Sequence, residues 1–385
     1  MKKTFLFIPI LLILKIVPAQ NPQIQQMVNQ VNSDSMWSYM TTLSSQQRFS
    51  YEKNDTVCRH WLRSFFERLG FDTVYYQNTV ITQMPNVIAE LRGDSAPDSI
   101  CVLGAHYDVF AYKAPGADDN ASGTAGVLEV ARALASHHFR KTIRFVCFSA
   151  EELGGGGGSH YYVQHSVNQG ENNFSMVNMD MISHSATGNE PPIFYVAYNT
   201  ISQTLFERMN LAMEQYVPGA DWIDGSSYPY ASASDHASFW EAGIPAIFIN
   251  DCLDPNSANF NNFFHTFSDV MGTSVNNKPL TEACVRTAAA LIAELAVVNS
   301  FPGSVIQNEM ALSIYPNPVQ DYLYIHLEYG LSDIRLLDLF GRTVLQVDPQ
   351  NSSNITISAE HLHPGIYFLH ALADGRTLKR VIVKQ

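Results

Sequence analysis

Three apolar runs that each end on a histidine or an acid constrain this chain most. Ser99–Gly104 (SICVLG) leads to His106-Tyr107-Asp108, Thr142–Phe148 leads to Glu151-Glu152, and the run beginning at Met176 ends at Asp180. Short, uninterrupted apolar runs bounded by turn residues read as strands buried on both faces. A helical pattern follows the first run at Thr124–Ser136, and a second helix candidate follows the next at Tyr161–Val167. Strands alternating with helices predict βαβ units in a mainly parallel sheet covered on both sides. Ligand sites in such sheets collect at the carboxyl ends of the strands. The polar residues after the three runs are therefore brought to one edge.

The other elements fit this frame. Gln23–Ser45 and Thr56–Leu69 are helix-like, and Gly70 ends the second. Thr73–Tyr76 and Asn86–Leu91 are β-branched runs, Ala246–Asn250 is a later strand, and Leu280–Val298 reads as a closing helix. Composition shifts after Asn299. Residues 300–311, with Pro302 and Gly303, read as a linker. From 312 to 385, short alternating strands recur about every 8–12 residues. The predicted class is α/β, a parallel-centred mixed sheet flanked by helices over residues 20–299, plus a small C-terminal all-β sandwich.

The ends and the charge narrow the setting. Lys2 and Lys3 precede an apolar run from Phe5 to Val17, with Pro18-Ala19 after it. This order predicts a signal peptide over residues 1–19. The run is too short for a bilayer span of about 20 residues, and no transmembrane anchor is expected after cleavage. The net charge of −13 repels phosphate backbones and argues against a nucleic-acid partner. The five cysteines form no CxxC pair, which disfavours a cysteine zinc site. Cys101 and Cys147 lie within apolar runs and read as small buried hydrophobes.

Acids at strand ends are costly to bury without a counter-charge. Between the first two runs lies Gly116-Ala117-Asp118-Asp119-Asn120-Ala121-Ser122-Gly123, and a late histidine, His265, stands in FFHTFSD. His106, Asp119, Glu152, Asp180 and His265 supply two imidazoles and three carboxylates. That set fits two zinc ions sharing one carboxylate, since zinc accepts both donor types and paired metals activate water for hydrolysis.

HYD, GADDNASG, SAEELG, NMDM and the late HT, in this order over residues 30 to 300, resemble the secreted two-zinc aminopeptidase family. That family also includes glutamate carboxypeptidase-like enzymes and glutaminyl cyclases. The resemblance implies a zinc exopeptidase fold, two Zn2+ per chain and a peptide substrate. It implies that His106 and Asp180 bind one ion, that Glu152 and His265 bind the other, and that Asp119 bridges them. It makes Glu151 the general base and Asp108 the acid that fixes the His106 tautomer. A glutaminyl cyclase usually departs from DDNASG, and a non-catalytic relative loses ligands; this chain keeps both features. Carboxypeptidase or dipeptidase action stays open.

Asp235 and His236 match a position near the family's substrate pocket, with a structural hydrogen bond as the equal alternative. Tyr228 or Tyr230 is placed to stabilise an oxyanion or simply to pack a loop. Gly154–Gly158 reads as a flexible loop without a role. The tail, with IYPNP, LFGRTV, GIYFL and RTLKRVIVKQ, resembles the C-terminal sorting domain read by the type IX secretion system. An accessory binding sandwich is the alternative. The resemblance implies secretion machinery as a partner and export through periplasm and outer membrane to the medium or cell surface.

Overall fold

Two asparagine side chains set where the chain begins to coil. Asn21 accepts a hydrogen bond from the Gln23 amide and Asn32 from the Ser35 amide, each satisfying a donor that a helix start leaves free. The predicted helix from Gln23 to Ser45 is accordingly two helices, α1 (Pro22–Gln30) and α2 (Ser33–Ser44). The Asn32 amide is drawn to Glu129 Oε1 at 2.7 Å, a long-range contact invisible to periodicity. The computed structural model describes residues 20–50, 56–71, 73–79, 84–154, 157–297, 313–326, 331–338, 342–349, 352–373 and 376–385. The expected signal peptide and linker lie outside the described residues.

Next come α3 (Val57–Arg68), β1 (Thr73–Gln77), β2 (Asn86–Leu91), β3 (Ala96–His106), α4 (Ala121–Leu134) and β4 (Lys141–Phe148). They are followed by α5 (Gly157–Asn168), β5 (Asn172–Met179), β6 (Ile193–Ala197), α6 (Gln203–Tyr216) and β7 (Asp221–Asp224). The series closes with α7 (His236–Glu241), β8 (Ala246–Asn250) and α8 (Lys278–Ala296). The eight strands form one sheet in the order β1-β2-β4-β3-β5-β8-β6-β7. Its centre, β4-β3-β5-β8, is parallel, and antiparallel pairings join β2 to β4 and β6 to β8. The parallel-centred mixed sheet predicted for the chain is the observed one.

Alternation along the strands explains why the runs are apolar throughout. Cys101, Leu103 and Ala105 of β3 join the core under α4 and α8, whereas Ile100 and Val102 face the cluster of Tyr162 from α5 and Phe239 from α7. Both faces are dry, so a polar residue on either side would cost about 1–3 kcal/mol unless hydrogen-bonded. Within β4 the buried Arg144 is met by Glu90, Tyr162 and Glu171, and at the carboxyl ends His106 and its neighbours emerge.

Between Met181 and Ala246 the sequence pattern names no element except a loop at 221–230, yet β6, α6, β7 and α7 lie there. β7 has four residues and α7 has six, both too short for a periodic signal. The glycine run is also not a loose loop throughout. Asn86 Nδ2 donates to the Gly158 carbonyl at 2.9 Å, and the Gly158 amide donates to the Ser149 carbonyl at 2.7 Å. A Cβ on Gly158 would lie 2.1 Å from Asn86 Oδ1, so close packing against Asn86 and Ser149 requires glycine there.

The chain divides into two compact units, Met1–Pro302 and Gly303–Gln385. The second contains two antiparallel sheets, ordered β13-β10-β9 and β12-β11-β14-β15. Their strands are β9 (Ser313–Tyr315), β10 (Tyr322–His326), β11 (Leu331–Leu337), β12 (Thr343–Val347), β13 (Asn354–Ser358), β14 (Gly365–Ala373) and β15 (Arg376–Lys384). Leu323, Ile325 and Ile357 of one sheet meet Ile334, Leu336 and Leu369 of the other in a shared core. Along β10, buried Leu323 and Ile325 alternate with exposed Tyr322, Tyr324 and His326, the period of two that a half-buried strand imposes. None of the described helices in either unit is long and apolar enough to cross a membrane.

Candidate metal centre

The carboxyl ends of β3, β4 and β5 deliver their polar residues to one place. His106 Nε2 lies 3.4 Å from Asp119 Oδ1 and 3.3 Å from Asp180 Oδ1. The other oxygen of Asp119, Oδ2, lies 3.3 Å from His265 Nε2, which is 2.8 Å from Glu152 Oε2. Asp119 therefore stands between two pairs and turns one oxygen toward each. One donor atom each from His106, Asp119 and Glu152 falls within 4.8 Å of the other two. Glu151 Oε2 stands 3.9 Å from His106 Nε2. With Asp108, 3.5 Å from His106 Nδ1, the seven site residues singled out by sequence lie together at the sheet edge.

Outer contacts hold these groups in place. The Thr124 hydroxyl donates to the His106 carbonyl at 2.7 Å, and the Ser234 hydroxyl donates to Asp180 Oδ2 at 2.8 Å. Asn120 caps α4 through the Gly123 amide and donates to the Met179 carbonyl, tying the Asp119 loop to the end of β5. Asp108 is fully buried. Its carboxylate accepts from the amides of Glu151 (3.1 Å) and Glu152 (3.3 Å) and from the Ser50 hydroxyl (2.9 Å). It lies 3.5 Å from His106 Nδ1, beyond ordinary hydrogen-bond reach, so its firmest grip is on the backbone of the Glu151-Glu152 turn. Ser50, Ser234 and Thr124 carry no sequence signal, because hydroxyls of this kind occur in every loop.

Backbone strain collects here. Ala150, Met181 and His265 have φ values of 60°, 53° and 55°. They immediately precede Glu151, immediately follow Asp180, and form one of the imidazole positions. Non-glycine residues in the left-handed region cost about 1–3 kcal/mol each, and such strain marks functional sites.

The electrostatics are those of a site built around a cation. Burial raises the Glu151 carboxyl well above its usual range, against the pull of His106, and Asp180, Asp235 and Glu152 push it further. Burial and then Asp119 raise Glu152 to about 7, opposed by its bond to His265. Burial disfavours the charged form of His106, but Asp180 and Glu151 outweigh it and lift its pKa. Glu152 Oε1 and Asp180 Oδ1 are buried without a hydrogen-bond partner. Crowded carboxylates, two imidazoles and unpartnered buried oxygens fit divalent zinc, whose usual ligands are of these types.

A cavity of about 700 Å³ opens on this edge, lined by Asp119, Glu151, Glu152, Asp180 and His265 on one side. Met181, Tyr230, Phe248, Leu253, Phe260 and Phe264 give it an apolar wall. Tyr230 stacks on Phe260 with centroids 5.7 Å apart. Tyr228 instead packs edge-on against Tyr195 and is not among the lining residues. Of the two tyrosines considered from sequence, the fold brings Tyr230 to the cavity. Asp235 and His236 are buried behind the wall. His236 Nε2 is bonded to the Ala231 carbonyl at 2.9 Å and its ring stacks on Phe248, and burial pulls its pKa down to about 4. Its place is structural. His160, without a partner in the sequence reading, lines the cavity 3.8 Å from Glu241.

Comparison with known proteins adds ancestry to this geometry. The model of peptidase family M28 matches residues 86–292, and that of a secretion system C-terminal sorting domain matches residues 313–385. Aminopeptidase YwaD of Bacillus subtilis is 38% identical over 180 residues, covering 45% of this chain and 36% of that protein. A probable leucine aminopeptidase of Arthroderma otae is 27% identical over 312 residues, covering 74% of this chain and 80% of its own length. The chain thus spans little more than a third of the Bacillus relative. The LapA aminopeptidase structure from Legionella pneumophila superposes with a TM-score of 0.64 at 26% identity, covering 72% of this chain and 75% of its own. Glutaminyl cyclase from Porphyromonas gingivalis, at 21% identity and a TM-score of 0.55 over 69% of this chain and 99% of its own, shares the fold.

Proposed function

Since the chain belongs to peptidase family M28, we propose that residues 20–299 form an aminopeptidase that uses two zinc ions and Glu151 as general base. The observation that carries this reading is the division of Asp119, whose Oδ1 faces the His106–Asp180 pair and whose Oδ2 faces the His265–Glu152 pair. His106 and Asp180 would hold one ion, Glu152 and His265 the other, and Asp119 both. Bound there, zinc supplies Lewis acidity toward the scissile carbonyl and toward water.

The chain's own residues do the rest. Glu151 takes a proton from the attacking water at its carboxylate and returns one to the leaving amine as the C–N bond breaks. Asp108 orients the turn that presents Glu151. Tyr230 offers its hydroxyl on the cavity wall to the developing oxyanion. Among the described residues that line the cavity there is no lysine or arginine, and Glu241 is the carboxylate not assigned to the ligands or the base. Glu241 can seat a free α-ammonium group beside the apolar wall, which supports aminopeptidase action. The aromatic wall suits a large apolar N-terminal side chain.

Assay of the zinc-loaded protein on a panel of aminoacyl and dipeptide substrates tests this. Leu, Met or Phe at the N-terminus should give kcat/KM about 10–150-fold above Ala or Gly, the range expected from burying 1.5–3 kcal/mol of side chain. N-acetylation should abolish cleavage. Cyclisation of N-terminal glutamine without hydrolysis of the panel would assign the site to acyl transfer instead.

We further propose that residues 312–385 are the export signal, read by the type IX machinery after a cleaved leader (1–19) and joined through a linker at 300–311. The proposed ligands and base all precede this linker. Deleting the tail should leave kcat and zinc content unchanged in the purified protein and should strand the enzyme in the periplasm of its host. Cell fractionation checks this, and normal export of the truncated form would refute it.

A further inference from the structure

The Asp119 loop is gripped from two sides by buried residues of opposite charge. Arg48, on the segment after α2, has no solvent exposure. Its guanidinium donates to the carbonyls of Tyr107 (3.1 Å), Pro115 (2.5 Å) and Gly116 (2.6 Å), and its own carbonyl accepts from the Val109 amide at 3.2 Å. Asp269, four residues beyond His265, is also buried. Its carboxylate accepts from the amides of Asp118 (2.9 Å) and Asp119 (3.0 Å), and its carbonyl accepts from the Ala117 amide at 3.1 Å.

The segment from Pro115 to Asp119 thus turns its carbonyls to a cation and its amides to an anion. Gly116 permits the turn. Its φ is +53°, and a Cβ there would lie 2.4 Å from the Asp119 carbonyl and 2.8 Å from Arg48 Nη2. A buried guanidinium costs several kcal/mol unless its donors are met; here Nη1 and Nη2 are met by the three carbonyls, while Nε has no partner among the described residues. Packing alone would be served as well by an apolar side chain. Arg48 also joins the His106-Tyr107-Asp108 strand end to the Asp119 loop, while Asp269 joins that loop to the segment carrying His265.

We infer that Arg48 and Asp269 are positioning residues that preset the Asp119 carboxylate between the two imidazoles and thereby set the affinity of the centre for zinc. The inference rests on the reading of Asp119 as the shared ligand. Arg48 lies outside the family match at 86–292.

The test uses the full chain after leader removal, loaded with zinc, in the forms Asp269→Asn, Arg48→Lys, Arg48→Met and Asp119→Ala. Zinc affinity is read by chelator competition, alongside kcat and KM separately and the melting temperature of the metal-free protein. Asp269→Asn removes one of two acceptor oxygens, and Arg48→Lys narrows a fork that spans three carbonyls. Each should weaken zinc binding by about 10–100-fold, the usual loss for an outer partner of a metal ligand. Each should lower kcat at fixed zinc more than it raises KM, with excess zinc restoring part of the rate. If Arg48→Met does not fold, the two conservative variants still decide the matter. A lower melting temperature with zinc affinity and kcat both wild-type would show a purely structural role and overturn the inference. Full zinc binding in Asp119→Ala would overturn the reading beneath it. Zinc loss in Asp119→Ala with none in Asp269→Asn and Arg48→Lys would overturn the positioning role alone.

Discussion

Glu151→Gln is expected to lower kcat by about 10²–10⁴-fold, the usual cost of losing a general base, with fold and zinc content unchanged. The glutamine keeps the volume and the backbone grip of Asp108 on residues 151 and 152, so the turn should survive. What it cannot do is accept a proton. Glu151 lines the cavity and stands 3.9 Å from His106 Nε2, next to the proposed ion pair but nearer to open space than the other acids. In the metal-free protein burial raises its pKa, with His106 pulling the other way, and bound zinc would draw it back down. The base must be unprotonated, so wild-type activity should fall as pH drops through this group's pKa, and the variant should lose that limb from its residual profile. Steady-state kinetics on a leucyl anilide across pH, with elemental analysis of bound zinc, measures both. Wild-type turnover in the variant would remove Glu151 from the chemistry.

Asp119→Ala should be the most damaging change to the centre itself. Each of the other four proposed ligands serves one ion, whereas Asp119 presents Oδ1 to the His106 side and Oδ2 to the His265 side. Its removal should weaken both ions by more than the ~10–100-fold typical of an outer partner and drop activity accordingly. Glu152→Ala or Asp180→Ala should instead strip one ion preferentially. Stabilisation by zinc, which grows with ligand concentration over Kd, should shrink in step. In the metal-free protein the change is milder, because Asp119 is one of the carboxylates that raise Glu152. Thermal melting with and without zinc, plus metal analysis after dialysis, tests the two halves. Two ions retained per chain would refute the shared role.

The frame of the fold was legible because burial leaves a plain trace. β3, β4 and β5 are buried on both faces, so they read as mainly apolar runs, with Arg144 in β4 and Asn178 in β5 as internal exceptions, and the polar residues beyond them are the ones the sheet delivers to its edge. Asn86–Leu91 and Ala246–Asn250 were readable to the residue for the same reason. The stretch between β5 and β8 was not. β7 is a four-residue edge strand and α7 a six-residue helix, and neither repeats long enough to show a period. The long first helix was misread because its break rests on one residue, Asn32, which caps the Ser35 amide and donates its own amide to Glu129, and periodicity carries no sign of a single cap.

The sequence by itself named the candidate ligands, through the order of their motifs and the family those motifs resemble, and its apolar runs marked the sheet edge that gathers them. Tertiary structure decided how they face one another. It split the oxygens of Asp119 between two imidazoles, chose Tyr230 over Tyr228 for the cavity, and set Asp235 and His236 behind its wall. It also recruited Arg48 and Asp269, the second reaching the Asp119 amide across 150 residues. Side-chain direction at the centre depends on contacts between loops far apart in the chain, and no local pattern encodes the distance between them.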